Sequence, residues 1–411
     1  MCRGDAGQLL LDLLANLENP HAVASLTWMK DGQVVQNPNR PTERHLDQWP
    51  VPDCESLQLD YVESMPLDVP VVLSMGRFTT MHTSRGCPWP CIFCDIPIFN
   101  EGKWRARSPQ HMVAELKHLE ALGYESVGFV DDHFVLQPKR IEAIGNGIMD
   151  AKLSIRWGIE GRVDSVAQHL FPAMAKANCG AMMFGIESGS QKILDRLKKE
   201  QALDQVTTAV KNAKKTRVEI VHGFFTVGNP DETIEDMEAT FDFASALALD
   251  TFGFNRVCVY RGTPLRQEYV KRGLVNETTD WYKYFKCSEI DPTCLSGETI
   301  NQIRQAGIKK LFRYKLIHYP RQTFQLLRRF FRYMPIRDVL YLLLKPFMGQ
   351  KKGATKAEVV SRLVVHADMK DATAQLTQVS DELLHNVFEA SCLERLQIQQ
   401  AAEESRELPM V

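Results

Sequence analysis

The stretch Thr83-Ser-Arg-Gly-Cys87-Pro-Trp-Pro-Cys91-Ile-Phe-Cys94-Asp95 places three cysteines within eight positions, in the spacing C-x3-C-x2-C. It directly follows a β-prone run at residues 78–83. Three thiolates so close in sequence can hold one metal centre without ligands from distant parts of the chain. Because iron–sulfur clusters normally take four cysteine ligands, three on one loop would leave one iron of a [4Fe–4S] cluster open to a small molecule.

Two other interpretations of this loop are a zinc site and a set of buried structural cysteines. Structural zinc sites are usually closed by four Cys or His ligands in two separated pairs. The sequence contains no second C-x2-C and no H-x3-H. Three structural cysteines on a loop punctuated by Pro and Gly would be unusual. The spacing therefore favours a cluster and leaves the other two interpretations open.

Length and composition predict a large protein of a reducing compartment. The chain has 411 residues, which suggests two or three domains. Ten cysteines are too few for a disulfide scaffold, and no charged-then-apolar leader opens the sequence, so we expect a cytoplasmic location. The formal net charge is −2, but residues 304–352 contain thirteen Lys or Arg and one acid, Asp338. Such a basic block predicts an anionic ligand or surface.

Residues 1–74 do not have the size or pattern of an independent domain. The pattern predicts a helix at 9–17, a hairpin around Lys30-Asp31-Gly32 and a Pro-rich linker at 37–53.

From residue 75 to 290, strands alternate with helices. Predicted strands are 79–83, 126–130, 154–158, 181–186, 219–227 and 253–260, and predicted helices are 112–122, 138–150, 166–177, 191–197, 205–215 and 234–247. Six βα repeats indicate an α/β fold, a partial (β/α)6 TIM-like barrel with a parallel sheet. In such folds the functional residues lie at the carboxyl ends of the strands.

Residues 291–411 are predicted to be a helical region with a basic face. Helices are expected at 303–317, 322–333, 336–344 and 383–408. The apolar run at 339–344 is far too short to span a bilayer. We favour a helical cap on the barrel with a solvated basic face, and the alternative is peripheral membrane contact through residues 304–352.

Acidic residues follow three of the predicted strands. Asp131 and Asp132 follow the second strand, where they can receive an ammonium group or a metal, or else cap the next helix. Glu160 follows the third strand. Glu187 lies between Gly185 and Gly189, whose backbones allow a ligand to approach closely. Lys198 and Lys199, one helix further on, either meet a carboxylate or form a solvated charge pair.

These motifs, taken in chain order, resemble the radical S-adenosylmethionine (SAM) superfamily. The matching segments are Thr83-Ser-Arg-Gly-Cys-Pro, Phe129-Val-Asp-Asp, Arg162-Val-Asp, Phe184-Gly-Ile-Glu-Ser-Gly-Ser, Gly228-x-Pro-x-Glu-Thr and Gly262-Thr-Pro. The set is similar to the branch that couples a cobalamin-binding domain to the barrel. Anaerobic magnesium-protoporphyrin ester cyclases and B12-dependent radical methyltransferases belong to this branch. The resemblance covers roughly residues 1–345.

The resemblance implies a set of cofactor contacts. Cys87, Cys91 and Cys94 would hold a [4Fe–4S] cluster whose open iron binds the amino and carboxylate groups of SAM. Reductive cleavage of SAM would give a 5′-deoxyadenosyl radical that abstracts hydrogen from a small-molecule substrate, with an electron donor such as flavodoxin or ferredoxin. The other implied contacts are Phe93 near the adenine, Asp131, Asp132 and Glu160 near the methionine amino group, Glu187 at the ribose hydroxyls and Lys199 at the carboxylate.

The chain departs from this branch at its N-terminus. Relatives carry a Rossmann-like cobalamin domain with a D-x-H-x2-G loop ahead of the barrel, whereas the one D-x-H here is Asp131-x-His133, inside the predicted barrel and without the glycine. Residues 1–74 are therefore interpreted as the remnant of that domain plus a linker. We expect cobalamin only if a missing or separate domain supplies it.

Several functional alternatives follow. Methylation, cyclisation and rearrangement are not separated by the sequence. The competing class is a catalytically degenerate relative that acts as an Fe–S-stabilised scaffold or partner subunit. No nucleic-acid role is expected, because Phe330, Phe331 and Tyr333 look partly buried rather than displayed in a groove. The substrate half of the cavity is predicted to be lined by His133, Cys258, Tyr260 and Arg261.

Overall fold

The computed structural model describes residues 1–53, 77–165, 167–276 and 295–333. These residues belong to one compact unit, Met1–Met348. The predicted helices at 336–344 and 383–408 lie outside the described residues, as do the predicted domain boundaries at 74/75 and 290/291. Those boundaries therefore stay predictions.

The described part of the N-terminal segment has the predicted helix and hairpin, although the helix starts three residues earlier than predicted. Helix α1 (Ala6–Ala15) precedes strands β1 (Thr27–Lys30) and β2 (Gln33–Gln36), which pair in antiparallel register. Asp31 and Gly32 form the turn between these strands with positive φ angles of 50° and 76°. Asp5 links this segment to the barrel, because its carboxylate pairs with Arg85 and Arg105 on either side of the cysteine loop.

A six-stranded parallel sheet forms the centre of the molecule. Its strands run in the order β10-β9-β8-β7-β6-β3, and they pair in parallel register throughout. The strands are β3 (Phe78–Met81), β6 (Ser126–Phe129), β7 (Arg156–Gly161), β8 (Cys179–Glu187), β9 (Ile220–Val227) and β10 (Thr251–Arg256). A short antiparallel pair, β4 (Ser84–Arg85) and β5 (Arg105–Ala106), flanks the cysteine loop. The predicted partial barrel is confirmed.

Helices follow the strands along the chain, as the alternating pattern predicted. They are α2 (Ile96–Phe99), α3 (Pro109–Ala121), α4 (Pro138–Asp150), α5 (Phe171–Lys176), α6 (Gln191–Arg196), α7 (Leu203–Lys214), α8 (Ile234–Ala246) and α9 (Pro264–Lys271). The predicted helix at 166–177 is shorter than expected: a 3-10 turn at Gln168–Leu170 comes first, and α5 begins at Phe171 with Pro172 in its first turn. Proline is favoured in the first turn of a helix because it has no N–H that would be left unpaired there.

The two faces of the sheet have different packing. On β8, Met182, Phe184 and Ile186 face the helices and belong to the largest apolar core. Ala181 and Met183 alternate with them and belong to a smaller cluster on the opposite, concave face. The concave face therefore leaves room above that cluster for polar side chains at the carboxyl ends of the strands.

Two C-terminal helices pack against the barrel. Helix α10 (Gly297–His318) lies on α8, where a Cβ atom at Gly307 would be 2.4 Å from the Phe241 ring. Helix α11 (Pro320–Tyr333) follows, and its Leu326 packs against the concave-face cluster. Among the described residues, no helix combines the length and apolar character needed to cross a membrane.

Candidate metal and cofactor site

The three cysteines lie on one loop between β4 and α2, at the end of the sheet where the strands terminate. Cys91 is buried, and Cys87 and Cys94 are half-buried. The loop is fixed by backbone hydrogen bonds: the Ile92 N–H donates to the Leu197 carbonyl at 3.1 Å, and the Leu265 N–H donates to the Ile92 carbonyl at 3.0 Å. These bonds attach the loop to the turn after α6 and to α9, so its position depends on distant parts of the chain.

Gly86 starts the loop in a conformation that other residues rarely adopt. Its φ is +88°, and a Cβ atom there would be 2.0 Å from the Lys103 carbonyl oxygen. Its N–H donates to an Asp132 carboxylate oxygen at 2.6 Å. A side chain at position 86 would thus displace both the loop and the contact with Asp132.

The thiols occupy a buried but cationic environment. Burial raises the pKa of Cys87, Cys91 and Cys94, that of Cys94 to about 12, while nearby Arg162 and Lys199 lower the pKa of Cys87 and Cys91. Metal coordination deprotonates a thiol, and the two cations would offset part of the resulting negative charge. The donor set therefore fits a [4Fe–4S] cluster.

The arrangement differs from a site for one metal ion. Within the described ranges, no group of three or more His, Cys, Asp and Glu side chains is placed to hold a single ion. The cysteines of a four-iron cluster bind different irons and do not need to converge on one point.

Asp131 fixes the start of the cysteine loop. Its buried carboxylate accepts hydrogen bonds from the Thr83 N–H and the Ser84 hydroxyl, both at 2.6 Å, and from the Thr83 hydroxyl. Helix α4 begins at Pro138 with Gln137 as its N-cap residue, so neither Asp131 nor Asp132 caps that helix.

Asp132 and Glu160 have fewer contacts than Asp131. Desolvation raises the pKa of Asp132, against the lowering effect of its hydrogen bond from Gly86. Glu160 is half-buried near the end of β7, and it has no hydrogen bond or ion pair with another described residue. Burial, followed by the charges of Asp131 and Asp132, raises the pKa of Glu160 to about 7.

Glu187 and Lys199 form a buried ion pair, with Nζ 3.0 Å from Oε1. Glu187 follows an irregularity in the pairing of β8 with β9 and has a φ of +70°. A Cβ atom at Gly185 would lie 2.9 Å from Glu187 Oε1 and 3.1 Å from Lys199 Nζ. Glycine at position 185 thus leaves the space that this pair occupies. Lys199 is buried, so it is not part of a solvated charge pair, and its role at the SAM carboxylate stays a prediction.

Arg162 connects the cysteine loop to the Lys199 turn, a role that the sequence did not reveal. Its Nη1 donates to Cys91 Sγ at 3.5 Å, and its guanidinium lies 4.1 Å from the centre of the Trp89 ring. Nε and Nη2 both donate to Asp164, at 3.0 and 2.7 Å, and Nη2 also donates to the Lys199 carbonyl. The signal was present as Arg162-Val-Asp164, but the contact spans 71 positions to Cys91.

The remaining predicted residues surround this centre. Phe93 is half-buried and packs against a second apolar cluster around Ile193 and Leu265. His133 is buried; its Nε2 accepts from Trp89 Nε1 at 3.3 Å, and burial lowers its pKa to about 4. Cys258, Tyr260 and Arg261 follow β10, and of these Arg261 is exposed.

His222 on β9 is a second residue that the sequence did not single out. It is buried, its Nδ1 lies 2.8 Å from the Thr251 hydroxyl, and its Nε2 has no hydrogen-bond partner among the described residues. Burial lowers its pKa to about 3. The strand register places Glu160, Met183 and His222 side by side across β7, β8 and β9. A single histidine in a predicted strand does not indicate which residues of the neighbouring strands lie beside it.

Comparison with known proteins shows which family this site is similar to. Residues 81–244 match the sequence model of the radical SAM superfamily. An uncharacterized methyltransferase of Pyrococcus horikoshii is 32% identical over 314 residues, which cover 75% of this chain and 65% of the relative. The anaerobic magnesium-protoporphyrin IX monomethyl ester cyclase of Rubrivivax gelatinosus is 25% identical, covering 77% of this chain and 57% of the relative. The chain thus spans roughly half to two thirds of the length of these relatives.

Solved structures support the fold. The radical S-adenosylmethionine methyltransferase TsrM of Kitasatospora setae, with cobalamin and a [4Fe–4S] cluster bound, matches with a TM-score of 0.54 and 17% identity, covering 66% of this chain and 53% of that one. The cobalamin-dependent S-adenosylmethionine radical enzyme OxsB, with aqua-cobalamin and S-adenosylmethionine bound, matches with a TM-score of 0.55 and 15% identity, covering 96% and 65%. At this level of identity the likeness concerns the fold alone.

Proposed function

We propose that this chain, whose residues 81–244 match the sequence model of the radical SAM superfamily, is a [4Fe–4S]-dependent enzyme that cleaves SAM reductively and abstracts hydrogen from a small-molecule substrate. The observation that carries the proposal is the placement of Cys87, Cys91 and Cys94 on one anchored loop beside Arg162 and Lys199. When bound, such a cluster supplies the electron that splits SAM into methionine and a 5′-deoxyadenosyl radical. The protein binds, orients and shields the reactants.

The acidic residues around the loop divide into anchors and ligand contacts. Asp131 already accepts three hydrogen bonds from Thr83 and Ser84, so we assign it to holding the loop. Asp132 and Glu160 have acceptor capacity left, and we assign them to the methionine ammonium group. An ammonium group would stabilise both carboxylates as charged groups, which opposes the raised pKa values found without it.

Glu187, Lys199 and Phe93 complete the proposed SAM site. The ion pair uses Glu187 Oε1, which leaves Oε2 without a donor among the described residues and able to accept from ribose hydroxyls. The Lys199 ammonium has further donors for the methionine carboxylate. The ring of Phe93, next to Cys94, is assigned to the adenine. These roles rest on the resemblance together with the local geometry.

The reaction class within this proposal is methylation, cyclisation or rearrangement. Methylation through cobalamin would require a cobalamin-binding domain, which the D-x-H-x2-G pattern does not reveal in this sequence. A missing or separate domain would have to supply it. An anaerobic assay with added cobalamin and SAM labelled in its methyl group distinguishes methyl transfer from reactions that consume SAM only to 5′-deoxyadenosine.

The proposed partners are a reductant, such as flavodoxin or ferredoxin, and a small-molecule substrate. Peripheral membrane contact through the basic residues 304–352, from a cytoplasmic location, is a finer proposal. Exposed Arg321 and Arg328 on α11 belong to this block. Pelleting with anionic vesicles at low and high salt tests it, with Arg321→Glu and Arg328→Glu as variants that should stay in the supernatant.

Anaerobic reconstitution tests the central proposal. Wild-type protein should take up iron and sulfide, turn brown and, after reduction with SAM, release 5′-deoxyadenosine. Cys91→Ala should lose both properties, with release of 5′-deoxyadenosine reduced by several orders of magnitude, whereas Cys179→Ala, which removes a buried cysteine on β8, should retain them. Iron binding without SAM cleavage would instead support a catalytically degenerate scaffold.

A further inference from the structure

Arg162 makes a contact with the metal-binding loop that anchoring alone does not require. Its Nη1 donates to Sγ of Cys91, the most deeply buried of the three cysteines, at 3.5 Å. Its guanidinium also covers the ring of Trp89, which lies between Cys87 and Cys91 in the loop. A positive charge and an N–H donor are thus both directed at one predicted cluster ligand.

The orientation of this guanidinium is fixed from the opposite side. Nε and Nη2 form a two-point contact with Asp164, and Nη2 reaches the Lys199 carbonyl. Two-point contacts between guanidinium and carboxylate groups restrict rotation strongly. Burial does not neutralise this group, because the arginine side chain is not deprotonated in proteins. Arg162 is therefore held as a cation pointing at Cys91.

Iron–sulfur reduction potentials depend on net charge and on hydrogen bonds to the sulfur atoms. A cation that donates a hydrogen bond to a ligand sulfur therefore stabilises the reduced, more negative form of the cluster, both through its charge and through the hydrogen bond. We propose that Arg162 is a positioning residue that sets the reduction potential of the cluster. This inference rests on the proposed function, because it requires the cysteine loop to hold a cluster.

Four variants separate charge from hydrogen bonding. Arg162→Gln removes the charge and leaves Asp164 unpaired. The double variant Arg162→Gln with Asp164→Asn removes the pair without changing net charge, so its remaining effect reports the bond to Cys91. Arg162→Lys keeps the charge without the two-point contact. Arg196→Gln is the matched control, since that arginine pairs with Asp231 and Glu268 away from the loop.

The measurement is an EPR-monitored redox titration of reconstituted protein, with iron and sulfide counted per chain. Arg162→Gln should shift the midpoint potential to more negative values, the double variant should shift it less in the same direction, and Arg162→Lys should lie nearest to wild type. Arg196→Gln should match wild type.

An unchanged potential in fully loaded Arg162→Gln and in the double variant would overturn the inference. If Arg162→Gln alone loads no iron, the double variant, which leaves no unpaired carboxylate, decides the question. Failure of both to load iron while Arg196→Gln loads fully would overturn potential setting in favour of a purely structural role. A wild-type protein without a cluster would contradict the proposed function instead, so the two failures are distinguishable.

Discussion

The carboxylates on the cysteine-loop side of the site and those on the concave face of the sheet differ in whether the protein supplies their partners. Around the loop, Asp131 accepts three hydrogen bonds, and Glu187 pairs with Lys199. A few residues away on the concave face, Glu160 has no partner and His222 has an unpaired Nε2 among the described residues. On the first side the carboxylates already have partners in the protein, whereas on the second Glu160 and His222 have polar atoms that only a ligand would satisfy.

Removing Asp131 should produce the largest loss of stability on the paired side. Asp131→Ala leaves the Thr83 N–H and two hydroxyls without their acceptor, which should cost about 4 kcal/mol of unfolding free energy, since hydrogen bonds to charged groups are strong. Chemical denaturation measures it. Asp131→Asn keeps one acceptor oxygen and should lose about half as much. A loss below that of Asp132→Ala would show that the loop is not anchored here.

The buried Glu187–Lys199 ion pair is the second contributor to stability on the cysteine-loop side. Lys199→Met leaves a buried carboxylate without its cation, which should cost about 3 kcal/mol. The double variant Lys199→Met with Glu187→Gln should recover most of this loss, because no unpaired charge remains. Equal stability of the single and double variants would contradict a coupled pair. Unfolding curves of the four proteins in the cycle give the coupling energy.

The sequence predicted the sheet and the loop well because both depend on local patterns. The alternation of strand and helix patterns along the chain defined the sheet, and the cysteine spacing defined the loop. It did not distinguish Asp131 from Asp132, because both follow the same strand, and only their partners differ: Thr83 and Ser84 for one, Gly86 for the other. It likewise did not reveal the contacts of Arg162, although the Arg162-Val-Asp motif was recognised, and it did not single out His222. Their environment is created by strands adjacent in space, and no local spacing encodes it.

On the concave face, His222 should make the protein sensitive to acid. Its pKa is lowered from 6.5 to about 3 by burial, so the unfolded chain binds a proton that the folded chain does not. Stability should therefore fall as pH decreases from about 6.5 toward 3, by about 2 kcal/mol at pH 5 relative to His222→Gln. Urea unfolding of both proteins at pH 7 and pH 5 measures the difference. His169→Gln, a control at an exposed histidine, should leave the slope unchanged.

Glu160 should make stability depend on pH in the opposite direction to His222, and by a smaller amount. Its pKa is raised from 4.5 to about 7, so the folded chain retains a proton that the unfolded chain has lost. Wild type should lose stability relative to Glu160→Gln as pH rises from about 4.5 to 7. The effect should be about 1 kcal/mol after allowance for the partial solvent access of the carboxylate. Unfolding curves at pH 5 and pH 8 measure it.

Saturating SAM sharpens this last measurement, because an ammonium group next to Glu160 would stabilise the charged carboxylate and remove the slope. The comparison of wild type with Glu160→Gln should then become independent of pH once the cluster and SAM are bound. A slope that persists in the presence of SAM would separate Glu160 from the methionine ammonium group. Glu160 would then remain, like His222, a polar group of the concave face to which no SAM contact is assigned.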